Sequence, residues 1–311
     1  MTPMLSLRGA ALALSALAAT FAGPACLAQE ETLPAQVAAS AVPAAETPVG
    51  PALWKLADED TTIYLFGTVH VLPEGVSWFE GPIEQAFASS GEMVTEVDTS
   101  DAAAIQGELA SKAKLEGDRT LRELMGEEDR LAYEEAMVAS GLPVGALDGF
   151  EPWYAALNLS LLPLMQQGYD PNSGVEAILT ARAADKQRSE LETVGYQIDL
   201  FDGLPLEQQI AYLRSTIDMI PRLKDTLDAM VAEWLEGDAD QLAVLLNADM
   251  ADKQLYDRLL VARNVKWAAW LDERMDRPGT VFVAVGAGHL AGEGSVQDQL
   301  EDRGFDVTRV H

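Results

Sequence analysis

Thr61-Thr62-Ile63-Tyr64-Leu65-Phe66-Gly67-Thr68-Val69-His70 and, near the other end of the chain, Thr280-Val281-Phe282-Val283-Ala284-Val285-Gly286-Ala287-Gly288-His289 decide the fold. Each is a β-branched and aromatic run that leads into Gly-x-x-His. A continuous apolar run of this length is characteristic of a strand buried on both faces, as in parallel sheets covered by helices. After the first run, Pro82–Ser90 has Pro in its first turn and Gly91 just past its end, which predicts a short helix. Glu92–Val97 then reads as a second strand. Strand, helix and strand within about 35 residues make a βαβ unit, whose crossover is right-handed.

Outward from these runs the text turns helical. Residues 102–167 carry spaced leucines and aromatics, Val175–Lys186 continues as helix, and Glu190–Val194 reads as another strand. Leu206–Leu235 and Asp238–Met275 are helical again, the first broken at Pro221. Met165, Met219, Met230 and Trp234 on these helices are expected in the core. After His289, a short helix at Val296–Asp302 stops at Gly304 and Phe305–Val310 supplies an edge strand, which again suggests βαβ. The expected fold is α/β: a mostly parallel sheet of βαβ units in a domain over 51–311, interrupted by a helical insertion at about 102–187.

The first residues read as a targeting segment. Met1–Arg8 holds one positive charge, and Gly9–Phe21 is an Ala- and Leu-rich run. That run is about 13 residues long, short of the ~20 that span a bilayer. Small residues at Cys26 and Ala28 place signal-peptide cleavage after Ala28, so 1–28 is expected to be removed on export. Gln29–Gly50 is an Ala- and Pro-rich linker. Cys26 is the only cysteine, and Gly23-Pro24-Ala25 before it matches a lipobox poorly, so lipoprotein anchoring is the lesser reading. Cleavage after Ala28 leaves no thiol, which excludes disulfides, thiolate metal sites and cysteine nucleophiles. A periplasmic address fits.

The chain has 311 residues, 48% hydrophobic and 23% charged, an ordinary globular balance. Fifty acidic against 21 basic residues give a formal charge of −29. Such a surface repels phosphate backbones and anionic headgroups. Nucleic acid is therefore excluded as a partner, and no segment after the signal inserts stably in a membrane. A peptide or small-molecule substrate is the expected partner.

Only His70, His289 and His311 are histidines. The first two follow matching strands, and ligands of open parallel sheets bind beyond the carboxyl ends of the strands. Glycine there lets the chain turn sharply. Glu96, in Val94-Thr95-Glu96-Val97-Asp98, ends the next strand, and Glu192, in Leu191-Glu192-Thr193, is placed similarly. An acid in such a setting costs several kcal/mol unless paired or metal-bound. Arg263-Asn264 lies in an amphipathic helix, where an Arg on the buried flank clamps a carboxylate or stabilises an oxyanion. His70, Glu96 and His289 suit a divalent ion (Mn, Co or Zn) with open positions for water. They suit a metal-free acid–base pair equally, and spacing alone does not choose. His-Glu-x-x-His, Gly-x-Ser-x-Gly and phosphate-loop motifs are missing.

Taken together, several segments resemble the TraB/GumN family. They are Leu53-Trp54-Lys55-Leu56, Ile63 through Pro73, Glu96-Val97-Asp98, Leu191-Glu192-Thr193 followed by Gln197, Leu204 through Gln209, Arg263 through Trp267, and Val281 through Gly292. The resemblance implies a fold related to the Tiki proteases, the erythromycin esterases and the ChaN-like haem-binding proteins. It also implies metal-dependent peptide cleavage by His70, His289 and Glu96, with Arg263 and Asn264 in support and Glu192 at a recurrent family position. The leading expectation is an exported metal-dependent hydrolase, a peptidase. One alternative is a metal-free esterase-like hydrolase with His70 as base and Glu96 orienting it. Another is a non-catalytic protein that binds a peptide, a signal molecule or haem.

Overall fold

The computed structural model describes residues 50–99, 102–247 and 253–311. The signal peptide expected over 1–28, and all of the expected linker before Gly50, lie outside the described residues. Strand β1 (Leu53–Ala57) turns at Asp58-Glu59-Asp60 and returns as β2 (Thr61–Thr68). A two-residue β3 (Leu72–Pro73), helix α1 (Gly81–Ser89) and strand β4 (Glu92–Thr95) follow. A block of helices comes next: α2 (Ala102–Lys112), α3 (Leu121–Leu124), α4 (Glu127–Ala139) and α5 (Pro152–Gln166). After β5 (Tyr169–Asp170) and α6 (Val175–Arg182), the chain re-enters the sheet as β6 (Gln187–Glu190). A second block comprises α7 (Val194–Asp202), α8 (Leu206–Met219), α9 (Leu223–Glu236), α10 (Ala239–Asn247), α11 (Lys253–Tyr256) and α12 (Ala262–Met275). The chain ends with β7 (Gly279–Gly286), α13 (Val296–Glu301) and β8 (Thr308–Arg309).

The architecture is mixed α/β with a mostly parallel central sheet. Its order is β6-β4-β7-β2-β1-β8, and β3 pairs separately with β5. β6, β4, β7 and β2 run parallel, while β1 and β8 close one edge antiparallel. The two apolar runs are adjacent: β2 pairs with β7 so that Thr68 faces Gly286. Both Gly-x-x-His segments therefore leave the sheet at the same edge.

Strand alternation sorts the core. Ile63, Leu65, Val281, Val283 and Val285 face α12 and α13, with Trp267 and Leu271 among their neighbours. Phe66, Phe282 and Ala284 face the opposite layer of α1, α6 and α9. Burial on both faces explains why these strands lack polar alternation. A third cluster, including Tyr133, Trp153, Phe201 and Tyr212, joins helices α2, α4, α5, α7 and α8.

Several expectations are corrected. The strand placed at Glu190–Val194 lies earlier, at Gln187–Glu190, because Glu92 pairs with Gln187 and fixes the register. Thr193 instead caps α7, its side chain accepting from the Tyr196 N–H. The last unit is βαβ as expected, but its two strands are not neighbours: β8 pairs antiparallel with β1, Trp54 opposite Arg309, and so runs parallel to β7 at the edge of the sheet. The chain reverses at Gly304, whose φ of +93° suits glycine. Met219, Met230 and Trp234 are buried, but Met165, near the end of α5, is 44% exposed.

Candidate functional site

At the carboxyl edge of β4, β7 and β2, the structure gathers His70, Glu96, Glu192, Arg263, Asn264 and His289, all buried. Glu96 stands one residue past β4. The pairing of β4 with β6 runs on beyond both strands, the Glu192 N–H donating to the Glu96 carbonyl at 2.8 Å. That continuation puts two carboxylates side by side in the interior.

Arg263, at the start of α12, resolves the conflict. Its Nε donates to Glu192 Oε1 at 2.9 Å. Nη2 donates to Glu96 Oε2 at 2.6 Å and to Glu192 Oε2 at 2.9 Å. Nη1 donates to the Leu259 carbonyl and to His289 Nε2, both at 3.0 Å. A guanidinium has five N–H bonds, and here each has a partner. The carboxylates that Arg263 clamps are thus the chain's own, Glu96 and Glu192. Gln197 Nε2 donates to both Glu96 and Glu192, and Trp267 Nε1 donates to Glu192 Oε1 at 3.0 Å. The Gly286 N–H completes the set, reaching Glu96 Oε1 at 2.7 Å.

These contacts fix protonation. Burial alone would raise the Glu96 pKa, but Arg263, then His289, His70 and the Gly286 N–H, bring it down to about 2. Burial would lower the Arg263 pKa, yet Glu96 and Glu192 overrule it and hold the guanidinium charged.

His289 is locked at both nitrogens. Nδ1 is 2.6 Å from Asn264 Oδ1, while Asn264 Nδ2 donates to the Gly294 carbonyl at 2.8 Å. The Arg263 guanidinium can only donate, so Nε2 carries the lone pair and Nδ1 the proton. Burial, followed by Arg263, pushes its pKa down to about 3. Trp267 lies against the ring, with centroids 4.2 Å apart.

His70 is held differently. Its Nδ1 is 2.6 Å from Glu176 Oε1, an oxygen that also accepts from the Thr68 hydroxyl. Burial would lower the His70 pKa, but Glu176 outweighs it and the pKa is raised. Glu176 sits in the first turn of α6. The Val175 N–H there donates to the Val69 carbonyl at 3.0 Å, and a Cβ on Gly174 would collide with the His70 carbonyl. Glycine at 174 is what lets α6 dock on the His70 loop. Sequence reasoning missed Glu176, which sits in an ordinary helix start far from any strand end. Gln197 entered only through the family resemblance. Among the described residues, the His70 ring is held through Nδ1 alone, and Glu176 Oε2 is buried without a hydrogen-bond partner.

Gly286 leaves a small cradle. The position a Cβ would take there is 3.1 Å from Glu96 Oε1, 3.6 Å from His70 Nε2 and 3.7 Å from His289 Cδ2. The donor set does not fit a three-ligand metal site in this arrangement. His289 turns a carbon to the cradle and spends Nε2 on the guanidinium, whose fixed positive charge stands beside it. Among the described residues, no group of three or more potential ligand side chains converges on one point.

A sequence profile of the TraB/PrgY/gumN family matches residues 52–309. An uncharacterized protein of Treponema pallidum (strain Nichols) is 24% identical over 272 residues, 80% of each chain. The Escherichia coli (strain K12) uncharacterized protein YbaP is 25% identical over 214 residues, covering 67% of this chain and 80% of its own. No solved structure matches.

Proposed function

The chain belongs to the TraB/PrgY/gumN family, and from that premise we propose that it is a hydrolase in which His70, held by Glu176, activates water without a resident metal ion. The observation that carries this is the asymmetry of His70: one ring nitrogen is fixed by a carboxylate, while the other faces the Gly286 cradle with no partner among the described residues. A pKa raised from the usual 6.5 brings the ring toward the range in which a general base and acid works near neutral pH.

In the proposed reaction, water rests over the Gly286 Cα, bonded to His70 Nε2 and Glu96 Oε1. Neutral His70 takes one proton as the water oxygen attacks the substrate carbonyl carbon. Glu176 stabilises the imidazolium so formed. His70 then returns the proton to the departing alkoxide or amine as the carbon–heteroatom bond breaks, so an ester or amide plus water gives acid plus alcohol or amine. Glu96 remains ionised throughout, and Arg263 keeps it and Glu192 in place. This reading replaces Glu96 with Glu176 as the residue that orients His70. It also takes the chain as exported through its first 28 residues and as sharing the fold of the erythromycin esterases.

A panel of p-nitrophenyl esters and peptide amides, assayed before and after exhaustive chelation with metal content measured alongside, tests the proposal. Turnover is expected to survive chelation and to vanish in His70→Ala. Turnover lost on chelation, with stoichiometric Mn, Co or Zn released in His289→Ala, would transfer the reading to the metal-dependent hydrolase, in which Arg263 has to leave His289. A folded protein that turns over nothing in the panel would favour ligand capture.

A further inference from the structure

The helix that delivers Arg263 is not regular. Asp257–Val261, between α11 and α12, form a π-turn, in which the Ala262 N–H reaches back five residues to the Asp257 carbonyl. Inside this turn the Leu259 carbonyl accepts the side-chain Nη1 of Arg263 at 3.0 Å. The segment also grips the loop that follows His289. The Tyr256 hydroxyl donates to the Glu293 carbonyl at 2.8 Å, and Val261 Cγ2 is 3.1 Å from where a Cβ on Gly294 would sit. Arg263 and Asn264, the next residues along the helix, then take one nitrogen of His289 each.

We propose that this π-turn is the positioning element of the site: the extra residue in the turn sets the rotation at which α12 aims Arg263 and Asn264 at the two nitrogens of His289, with the Leu259 carbonyl inside the turn bracing the guanidinium. Helical positions advance by about 100° per residue, so one residue fewer in the turn rotates α12 against Tyr256 and α11 and re-aims Arg263 and Asn264. Single π-turns inside α-helices often mark functional sites. The inference holds whichever reaction the site performs, so its failure leaves the hydrolase reading standing, and the reverse.

The test is deletion of Asp257, a half-buried position, read by the Arg263 guanidinium protons in NMR. In the parent, the Nη protons are expected as separate, slowly exchanging resonances. In the deletion variant they should collapse, with protection reduced about tenfold or more, while the circular dichroism stays that of the parent. If the shortened chain does not fold, the exchange rates of the Arg263 Nη protons in the parent decide alone. A folded deletion variant with Arg263 signals unchanged overturns the proposal. So does a parent protein whose Arg263 protons exchange freely.

Discussion

In the first Gly-x-x-His loop the imidazole meets a carboxylate, and in the second it meets a guanidinium. Both loops leave neighbouring parallel strands at one edge of the sheet, and both histidines are buried. From there they diverge. Glu176 raises the pKa of His70 and holds it by Nδ1, leaving Nε2 without a partner among the described residues. Arg263 and Asn264 take both nitrogens of His289 and keep it neutral. The surroundings push the two pKa values apart, as they do in pairs of groups that divide acid–base roles: in the proposed reaction His70 moves the proton, while His289 accepts from the Arg263 guanidinium. A repeated motif therefore does not imply a repeated role.

The largest effect should come from removing the group that makes the loops differ. Arg263→Leu strands Glu96 and Glu192 in the interior and is expected to cost about 3–5 kcal/mol in urea denaturation. A loss below about 1 kcal/mol would mean that water reaches these carboxylates. Next come the histidines themselves. His70→Ala should lower hydrolysis by about 10²–10⁴-fold with little change in melting temperature. His289→Ala should instead destabilise by about 1–3 kcal/mol, because it leaves one Nη1 proton of Arg263 and the Asn264 Oδ1 unpaired. Matching behaviour of the two variants would dissolve the distinction.

Acid separates the loops again. Glu96 has its pKa depressed to about 2 from the usual 4.5, so its stabilisation is present above 4.5 and lost as pH falls through that window, about 3 kcal/mol in all. His289, depressed to about 3, likewise stabilises above 6.5 and loses that contribution as pH falls below it. His70 has the opposite sign: its pKa is raised, so its contribution is complete below 6.5 and fades as pH climbs through the raised value. Denaturation midpoints measured across this range, in the parent and in each histidine variant, should show slopes of opposite sign. The smallest change should come from Gly286→Ala. Its Cβ would crowd Glu96 Oε1 at 3.1 Å, costing about 1 kcal/mol, and by filling the cradle it should reduce turnover more than stability.

Much of this was legible in the chain itself. Apolar runs ending in Gly-x-x-His announce buried parallel strands, and Pro221 marks the break between α8 and α9, where a short 3-10 turn sits. Glu96, Glu192, Arg263 and Asn264 stood out because charge beside apolar positions needs a partner. What could not be read is which partner each one has. Glu176 looks like any acid in a first helical turn, and only the docking of α6 on the His70 loop joins the two. Glu192 drew notice as a strand residue, yet it lies past β6, where a register set by β4 carries it to Glu96. The partner of β8 was equally hidden, since a two-residue edge strand has no periodicity to say that it pairs with β1.

That last strand has a consequence of its own. Because β8 runs antiparallel to β1, the Leu53 N–H bonds to the carbonyl of His311, and Gly50 lies against the His311 ring. A few residues would bridge this gap, and the exposed turn at Gly141 offers a place to cut. A circularly permuted chain would then carry the His289 loop ahead of the His70 loop, with every contact of the site intact. The site depends on which strands are neighbours, and the order in which the ribosome makes them is free to change.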